Sequence, residues 1–175
     1  NNYGTYLLFT GETKQARQHL LRAKAIRERS LGPEHPALSS TLSNLSTVYE
    51  REGDLDAALA ASQRATAIVL DTLGKNHVKA GRVLASRALL LAKLERDAEA
   101  LADMREAARI HEQVLGPDHP ELAQTLRKLG KLEGEAGNYE DARATLERAL
   151  AIRARAVGPE DTQRGRILKQ LGILH

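Results

Sequence analysis

The chain contains no cysteine and no tryptophan, and only one Phe and four Tyr among its 175 residues. Without Cys there is no disulfide, no thiol nucleophile and no thiolate metal site. This absence decides neither cytoplasm nor periplasm. The shortage of aromatics leaves few platforms on which bases could stack, which argues against a nucleic-acid partner. No apolar run reaches the roughly 18 residues that a membrane span needs. The first ten residues, Asn1 to Thr10, lack the basic start and small-residue cleavage site of a signal peptide, so the cytoplasm is the expected location. Charge of one sign is also missing: 26 basic residues stand against 23 acidic ones, a net of +3, which describes a solvated mixed surface and not a nucleic-acid footprint.

What the chain does contain is a repeat. Gly32, Gly74, Gly116 and Gly158 each lie 42 residues after the one before. Three of them sit in nearly the same text: Leu31-Gly32-Pro33-Glu34-His35-Pro36, Leu73-Gly74-Lys75-Asn76-His77-Val78 and Leu115-Gly116-Pro117-Asp118-His119-Pro120. A long fixed period means one supersecondary unit stacked on copies of itself, because a single unit cannot bury its own apolar face. The expected division is a single solenoid over 1–175, with repeats at roughly 1–32, 33–74, 75–116 and 117–158 and a terminal helix over 159–175.

Within each period the apolar residues keep helical spacing. Leu42, Leu45, Val48 and Tyr49 mark one amphipathic stretch; Leu55, Ala58, Leu59, Ala65, Ile68 and Val69 mark the next. Gly53 is placed to close the first helix, Asp54 to cap the second, and Gly74 to end it in a left-handed conformation. Pro36 and Pro120 suit the first turn of the following helix, where a missing N–H costs nothing. Superposing the copies aligns Ala16, Ala58, Ala100 and Ala142, and likewise Ala23, Ala65, Ala107 and Ala149. Those small residues let helix backbones approach closely. Ile26, Ile68, Ile110 and Ile152 are expected to fill the space between neighbours, and Leu42, Leu84, Leu126 and Leu168 mark successive first helices.

Leu45-x-x-x-Tyr49-x-x-x-Gly53-x-Leu55-x-x-Ala58…Ala65 resembles the tetratricopeptide consensus, as does Leu129-Gly130…Gly137-x-Tyr139-x-x-Ala142…Ala149. The 42-residue period and its connector are similar to the kinesin-light-chain-like variant. The resemblance implies an all-α fold, a right-handed α-solenoid superhelix of stacked antiparallel helix pairs with about nine helices. Its first helices would line a concave groove. By phase, Tyr3, Gly4 and Leu7 correspond to Leu45, Ser46 and Tyr49, and His175 falls inside the first helix of a fifth repeat. Ile167, Leu168, Leu171, Ile173 and Leu174 would suit either a capping helix or a further repeat.

The third repeat departs most from the others. Arg87 replaces Leu45 and Leu129, Glu95 replaces the turn glycine, and Asp97 replaces Leu55 or Tyr139. Either the position is tolerant, or Arg87 is left half-buried to reach a ligand or a carboxylate such as Glu95. Glu133 and His175 replace the aromatic at Tyr49.

No catalytic constellation emerges, and neither a cofactor nor a metal is expected. His35, His77 and His119 occupy equivalent connectors about 10 Å apart, too far to share one ion, and are expected to bond helix-end backbone groups. His111-Glu112 lacks the second His of a zincin helix. In tetratricopeptide arrays ligand contacts come mainly from first-helix positions i, i+4, i+7 and i+11, which share one face. The resemblance therefore implies a peptide-binding groove built from Ser40, Asn44, Thr47 and Arg51, then Arg82, Ser86, Leu89 and Lys93. Gln124, Lys128, Lys131 and Glu135 come next, and after them Arg166, Gln170 and Ile173. Asn44 matches the groove Asn with which relatives hold a peptide backbone. Ser86, Lys128 and Gln170 occupy its equivalents, so that carry-over is partial. Six cations against Glu135 on this face suggest a protein partner that is extended and acidic, or a chain-terminal carboxylate. The rival expectation is a structural spacer or a segment that self-associates through the solenoid ends.

Overall fold

The computed structural model describes residues 6–8, 11–157 and 162–173. Tyr3, Gly4, Gly158, Leu174 and His175, assigned by repeat phase, lie outside these residues, as does the side chain of Ile173. Every regular element among the described residues is α-helical. Residues 6–8 are followed by α1 (Thr13–Leu31), α2 (Ala37–Glu52), α3 (Leu55–Leu73) and α4 (Val78–Lys93), then α5 (Asp97–Leu115), α6 (Pro120–Glu135), α7 (Tyr139–Val157) and α8 (Thr162–Ile173). First helices α2, α4 and α6 all have 16 residues, and second helices α1, α3, α5 and α7 all have 19. The period is thus kept without insertion. The chain forms two compact bodies, Asn1–Gly74 and Lys75–His175.

The turn inside each helix pair is one hydrogen-bonded motif repeated four times. Asp54 N donates to the Tyr49 carbonyl at 3.0 Å across Gly53, whose φ of 83° is left-handed. The same six-residue closure recurs from Glu12 to Leu7, from Arg96 to Leu91 and from Asn138 to Glu133. Asp54 also caps α3, its side chain accepting from Ala57 N at 3.0 Å. The glycines that end the second helices differ from expectation. Gly74 has φ 78° and ψ 168°, so its φ is positive but its ψ is extended, a region that only glycine enters cheaply.

The connector histidines bond helix-start backbone, as expected. His77 Nδ1 accepts from Lys79 N and His119 Nδ1 from Glu121 N, each at 3.1 Å, and His35 Nδ1 accepts from Ala37 N at 3.2 Å. Nδ1 lies as many bonds from Cα as Oδ1 of Asn does, so the imidazole serves as a cap of Asn type. Pro120 is the first residue of α6, and Pro36 precedes α2 in helical conformation (φ −53°, ψ −29°).

The repeated alanines carry the packing. Ala16, Ala58, Ala100 and Ala142 are all sealed from solvent, as are Ala65, Ala107 and Ala149. Ile68, Ile110 and Ile152 are equally buried, each worth about 1.5–3 kcal/mol. Ile26 departs from the expectation and is 49% exposed. Ile68 packs with Leu38 and Leu42. Leu168 is likewise 48% exposed. Ion pairs also keep the period. Arg64 meets Glu28 at 2.7 Å in the first body, and the equivalent Arg148 meets Glu112 in the second.

The carboxylate that answers Arg87 is Asp103, not Glu95. Arg87 Nε and Nη2 donate to Asp103 Oδ2 and Oδ1 at 2.6 and 2.7 Å, with both side chains largely buried. The corresponding residues are Leu45 and Ala61 in the second repeat and Leu129 and Thr145 in the fourth. Both members of the pair changed together, which is why a guanidinium is tolerated at a core position. Glu95 instead keeps the turn, at φ 57°, where an L side chain is strained.

Two stability measurements check these readings. Glu95→Gly relieves the strain, and the gain exceeds glycine's added unfolded-state entropy, so urea unfolding should show a rise of about 0.5–1 kcal/mol. Asp103→Ala alone should cost about 3 kcal/mol by stranding Arg87, whereas Arg87→Leu with Asp103→Ala should unfold no more easily than the parent. A double variant as weak as the single one would contradict the compensation.

Candidate functional site

In the first body the four candidate positions lie along one face of α2. Ser40 is exposed and Asn44 and Thr47 are half-buried. Thr47 Oγ1 donates back to the Ser43 carbonyl at 3.2 Å. Arg51 is committed elsewhere: its Nη1 donates to the Leu8 carbonyl, tying α2 to the preceding helical turn. This face is therefore polar, and its one cation already serves the fold.

In the second body the candidates come from α4, α6 and α8. Arg82 reaches across to Glu121 at the start of α6, with Nε and Nη2 on the two carboxylate oxygens at 2.5 and 2.7 Å. The Arg82 guanidinium beside it holds the Glu121 carboxyl below its ordinary range. Ser86 and Gln124 are exposed, Leu89 is half-buried, and Lys93 is exposed at the last turn of α4. Lys131 pairs with Glu135 at 2.9 Å, but both are more than half exposed, and such a pair is easily exchanged. Lys128 is half-buried. Its ammonium is pushed down from its ordinary value by burial first and by Arg127 second, with Glu121 opposing.

Three of these residues meet in one cleft. Lys131, Glu135 and Gln170, with Gly130, Gly134, Tyr139 and Leu146, line a space of about 330 Å³ between α6, α7 and α8. Its form is set by local sequence. Gly130 replaces Ser46 and Ala88, and a Cβ there would stand 2.7 Å from Leu146 Cγ, so α6 and α7 can close only around a glycine. The walls are mostly apolar, and Gln170 Oε1 is buried with no hydrogen-bond partner. The cleft can take an apolar side chain flanked by polar groups.

A polar node missed by sequence reasoning lies beneath the same face. His111 on α5 is 1% exposed. Its Nδ1 is 2.9 Å from Thr125 Oγ1, which itself donates to the Glu121 carbonyl at 3.1 Å. Nε2 lies buried 3.9 Å from Glu121 Oε1. Burial pushes the His111 pKa down; Glu121 and the Val78 carbonyl oppose this, while Arg82 and Lys128 add to it. Gly81 makes room for the ring, since a Cβ there would lie 2.4 Å from Nε2.

Comparing copies would have exposed this node. The positions of His111 and Thr125 hold Arg27 and Thr41 in the first body, where Arg27 Nη1 donates to Thr41 Oγ1 at 2.5 Å. One period on, they hold Val69 and Val83. In two copies a polar residue at the first position faces a hydroxyl at the second, whereas the last copy has Arg153 with Ile167. Arg127 was also missed: its equivalents Ser43 and Ala85 are neutral, although Lys169 one period on is a cation.

A family model described as tetratricopeptide repeat matches residues 1–71 and 80–155. No curated protein matches the chain. Among solved structures, BtubC (BKLC) from P. vanneervenii has a TM-score of 0.86 at 21% identity, over 98% of this chain and 68% of its own. A putative kinesin light chain with nearly identical TPR-like repeats, from Podosopora anserina, has a TM-score of 0.85 at 21% identity, over 99% and 82%. PilF of Pseudomonas aeruginosa has 0.73 at 20%, over 99% and 64%.

The node makes stability depend on pH. A histidine whose folded pKa lies below its unfolded value of 6.5 contributes stability that is fully present above that value and fades as pH falls beneath it. Glu121 and Glu28, both lowered by arginine partners, add losses further down, below their unfolded 4.5. Thermal unfolding monitored from pH 7 downwards should show an early loss beginning near 6.5. His111→Val with Thr125→Val, which installs the apolar pair of Val69 and Val83, should remove that early step and leave the later one.

Proposed function

The chain belongs to the tetratricopeptide repeat family, and from that premise we propose that it is a protein-interaction module that holds an extended, acidic segment of a partner protein on its first-helix faces. Tetratricopeptide repeats mediate protein–protein interaction in general, and the all-α repeat solenoid, of the kinesin-light-chain-like form, is suited to that work. The observation that carries the reading is the cleft of about 330 Å³ into which Lys131, Glu135 and Gln170 converge. These are positions that the groove resemblance assigns to peptide contact. A partner side chain seated there would place its neighbouring acidic groups against Lys128 and Lys131. In the first body Ser40, Asn44 and Thr47 offer neutral polar contact suited to peptide backbone.

Not every basic residue of these faces is free to select the partner. Arg82 and Arg51 are occupied, by Glu121 and by the Leu8 carbonyl. Selection therefore falls on Lys128, Lys131 and Arg166, with Lys93, Ser86 and Gln124 as contacts at the edge. The role is that of an adaptor, scaffold or sensor part of a larger cytoplasmic protein, without catalysis, nucleic acid or membrane. Self-association through the repeats is the alternative reading.

Fluorescence anisotropy with short acidic and neutral peptides tests the first reading. Acidic peptides should bind saturably with micromolar affinity, roughly −8 kcal/mol. Salt should weaken the binding, and Lys128→Glu with Lys131→Glu should reduce it at least about tenfold. Absence of any peptide binding, together with a mass that grows with concentration, would favour self-association instead.

A further inference from the structure

His111 is a buried group whose charge can change near neutral pH. It lies on α5, and the charged groups that act on it come from the two helices packed alongside. Arg82 comes from α4, and Glu121 and Lys128 come from α6. His111 Nδ1 is 2.9 Å from Thr125 Oγ1; its Nε2, buried without a hydrogen-bond partner, is 3.9 Å from Glu121 Oε1. Both oxygens of that carboxylate are held by Arg82, at 2.5 and 2.7 Å. His119, which caps α6, also acts on Glu121.

The fold has room for a cation at the His111 position. Its equivalents are Arg27, Val69 and Arg153. Arg27 donates to the Ala37 carbonyl at 2.8 Å and to Thr41 Oγ1 at 2.5 Å, and Arg153 is buried. Two copies therefore carry a permanent charge there, one carries none, and one carries a titratable group. The position of Glu121 holds Ala37, Lys79 and Gln163 in the other copies. A carboxylate stands beside the titratable group and beside none of its equivalents.

A charged imidazole has a donor on each nitrogen. Sealed from water, it needs a counter-charge, because a buried charge left without a partner is costly. Glu121 is that counter-charge, and a small movement of its carboxylate closes the 3.9 Å gap. Arg82 can do without it: its side chain is 57% exposed, so water can take over the bonds it gives up. In the competition for one carboxylate, the cation that cannot reach water wins.

We propose that protonation of His111 draws Glu121 away from Arg82 and frees that guanidinium for the acidic partner segment, so that acidification strengthens binding. Arg82 lies on the α4 face to which the groove resemblance assigns peptide contact. The inference therefore rests on the interaction reading above and adds its regulation. Burial holds the His111 pKa below 6.5, so the change falls on the acid side of neutrality. Carboxylates of a partner stay largely ionised down to about pH 5, so the segment keeps its charge while the protein gains a free cation.

The test uses the 175-residue chain and a short acidic peptide at fixed ionic strength, from about pH 7.5 to 5. In the free chain, NMR signals of Arg82 Nε–H and of the His111 ring should move with one common midpoint below 6.5. Anisotropy should show peptide affinity rising about threefold on acidification, the scale of one exposed ion pair. His111→Val with Thr125→Val, the pair found at Val69 and Val83, should lose that rise and bind as the parent does at neutral pH. Glu121→Gln, which keeps His111, should bind at neutral pH as tightly as the acidified parent. A rise that persists in the valine variant, or an Arg82 signal that stays fixed while the His111 ring titrates, would overturn the switch. Peptide capture without pH dependence would also overturn it and leave the interaction face standing. A common midpoint without peptide capture would instead remove the interaction reading and, with it, the regulatory role.

Discussion

The close approach of two helices at an alanine is the constraint on which each body depends. Ala58 on α3, Ala100 on α5 and Ala142 on α7 are sealed because the first helix of the same repeat lies directly against them. A larger side chain there would push the pair apart and open the layer beneath. The demand propagates to the partner helix, where Ser46, Ala88 and Gly130 face the contact with small residues of their own. At Gly130 against Leu146 even a methyl group is too much. That same glycine leaves the space that becomes the cleft, so the packing requirement and the candidate binding surface have one origin.

Equal helix lengths and fixed turns convert this local contact into a period. The six-residue closure at the end of each first helix and the histidine cap at the start of the next set the register twice in every 42 residues. Once register is set, position along the repeat decides burial, and a residue can be judged against its copies. Arg87 with Asp103, and His111 with Thr125, illustrate how the repeat accommodates a core position that becomes polar. A second change supplies the partner, and the local fold survives.

Much of the fold could be read from the chain because the relevant signals are local. Gly53 and Asp54 act within one turn, and the connector histidines reach only two residues along. The helix spacing of Leu42, Leu45 and Val48 needs no knowledge of what lies opposite. Expectations failed where they required the identity of a spatial neighbour. The partner of Arg87 sits 16 residues away on the facing helix, beyond what spacing alone can rank against the nearby Glu95. Ile26 and Leu168 match their copies in sequence but differ from them in burial. The candidate surface was legible as a set of positions, since i, i+4, i+7 and i+11 share a face in any helix. Its electrostatics were not, because a charge on a face is free or spent according to residues on another helix.

That distinction changes what a count of charges on a binding face means. Six cations against one carboxylate describe a uniformly basic surface only if each cation is available. Arg82 is held by two short bonds to Glu121, and its field is largely cancelled at the distance of a bound segment. Lys131 is held loosely, by an exposed pair that a ligand can replace at little cost. Lys128 and Arg166 form no salt bridge among the described residues. Gln170 of the apolar cleft is on the same helix as Arg166. On the reading proposed above, charge would direct the approach of an acidic segment and the cleft would hold its apolar contact.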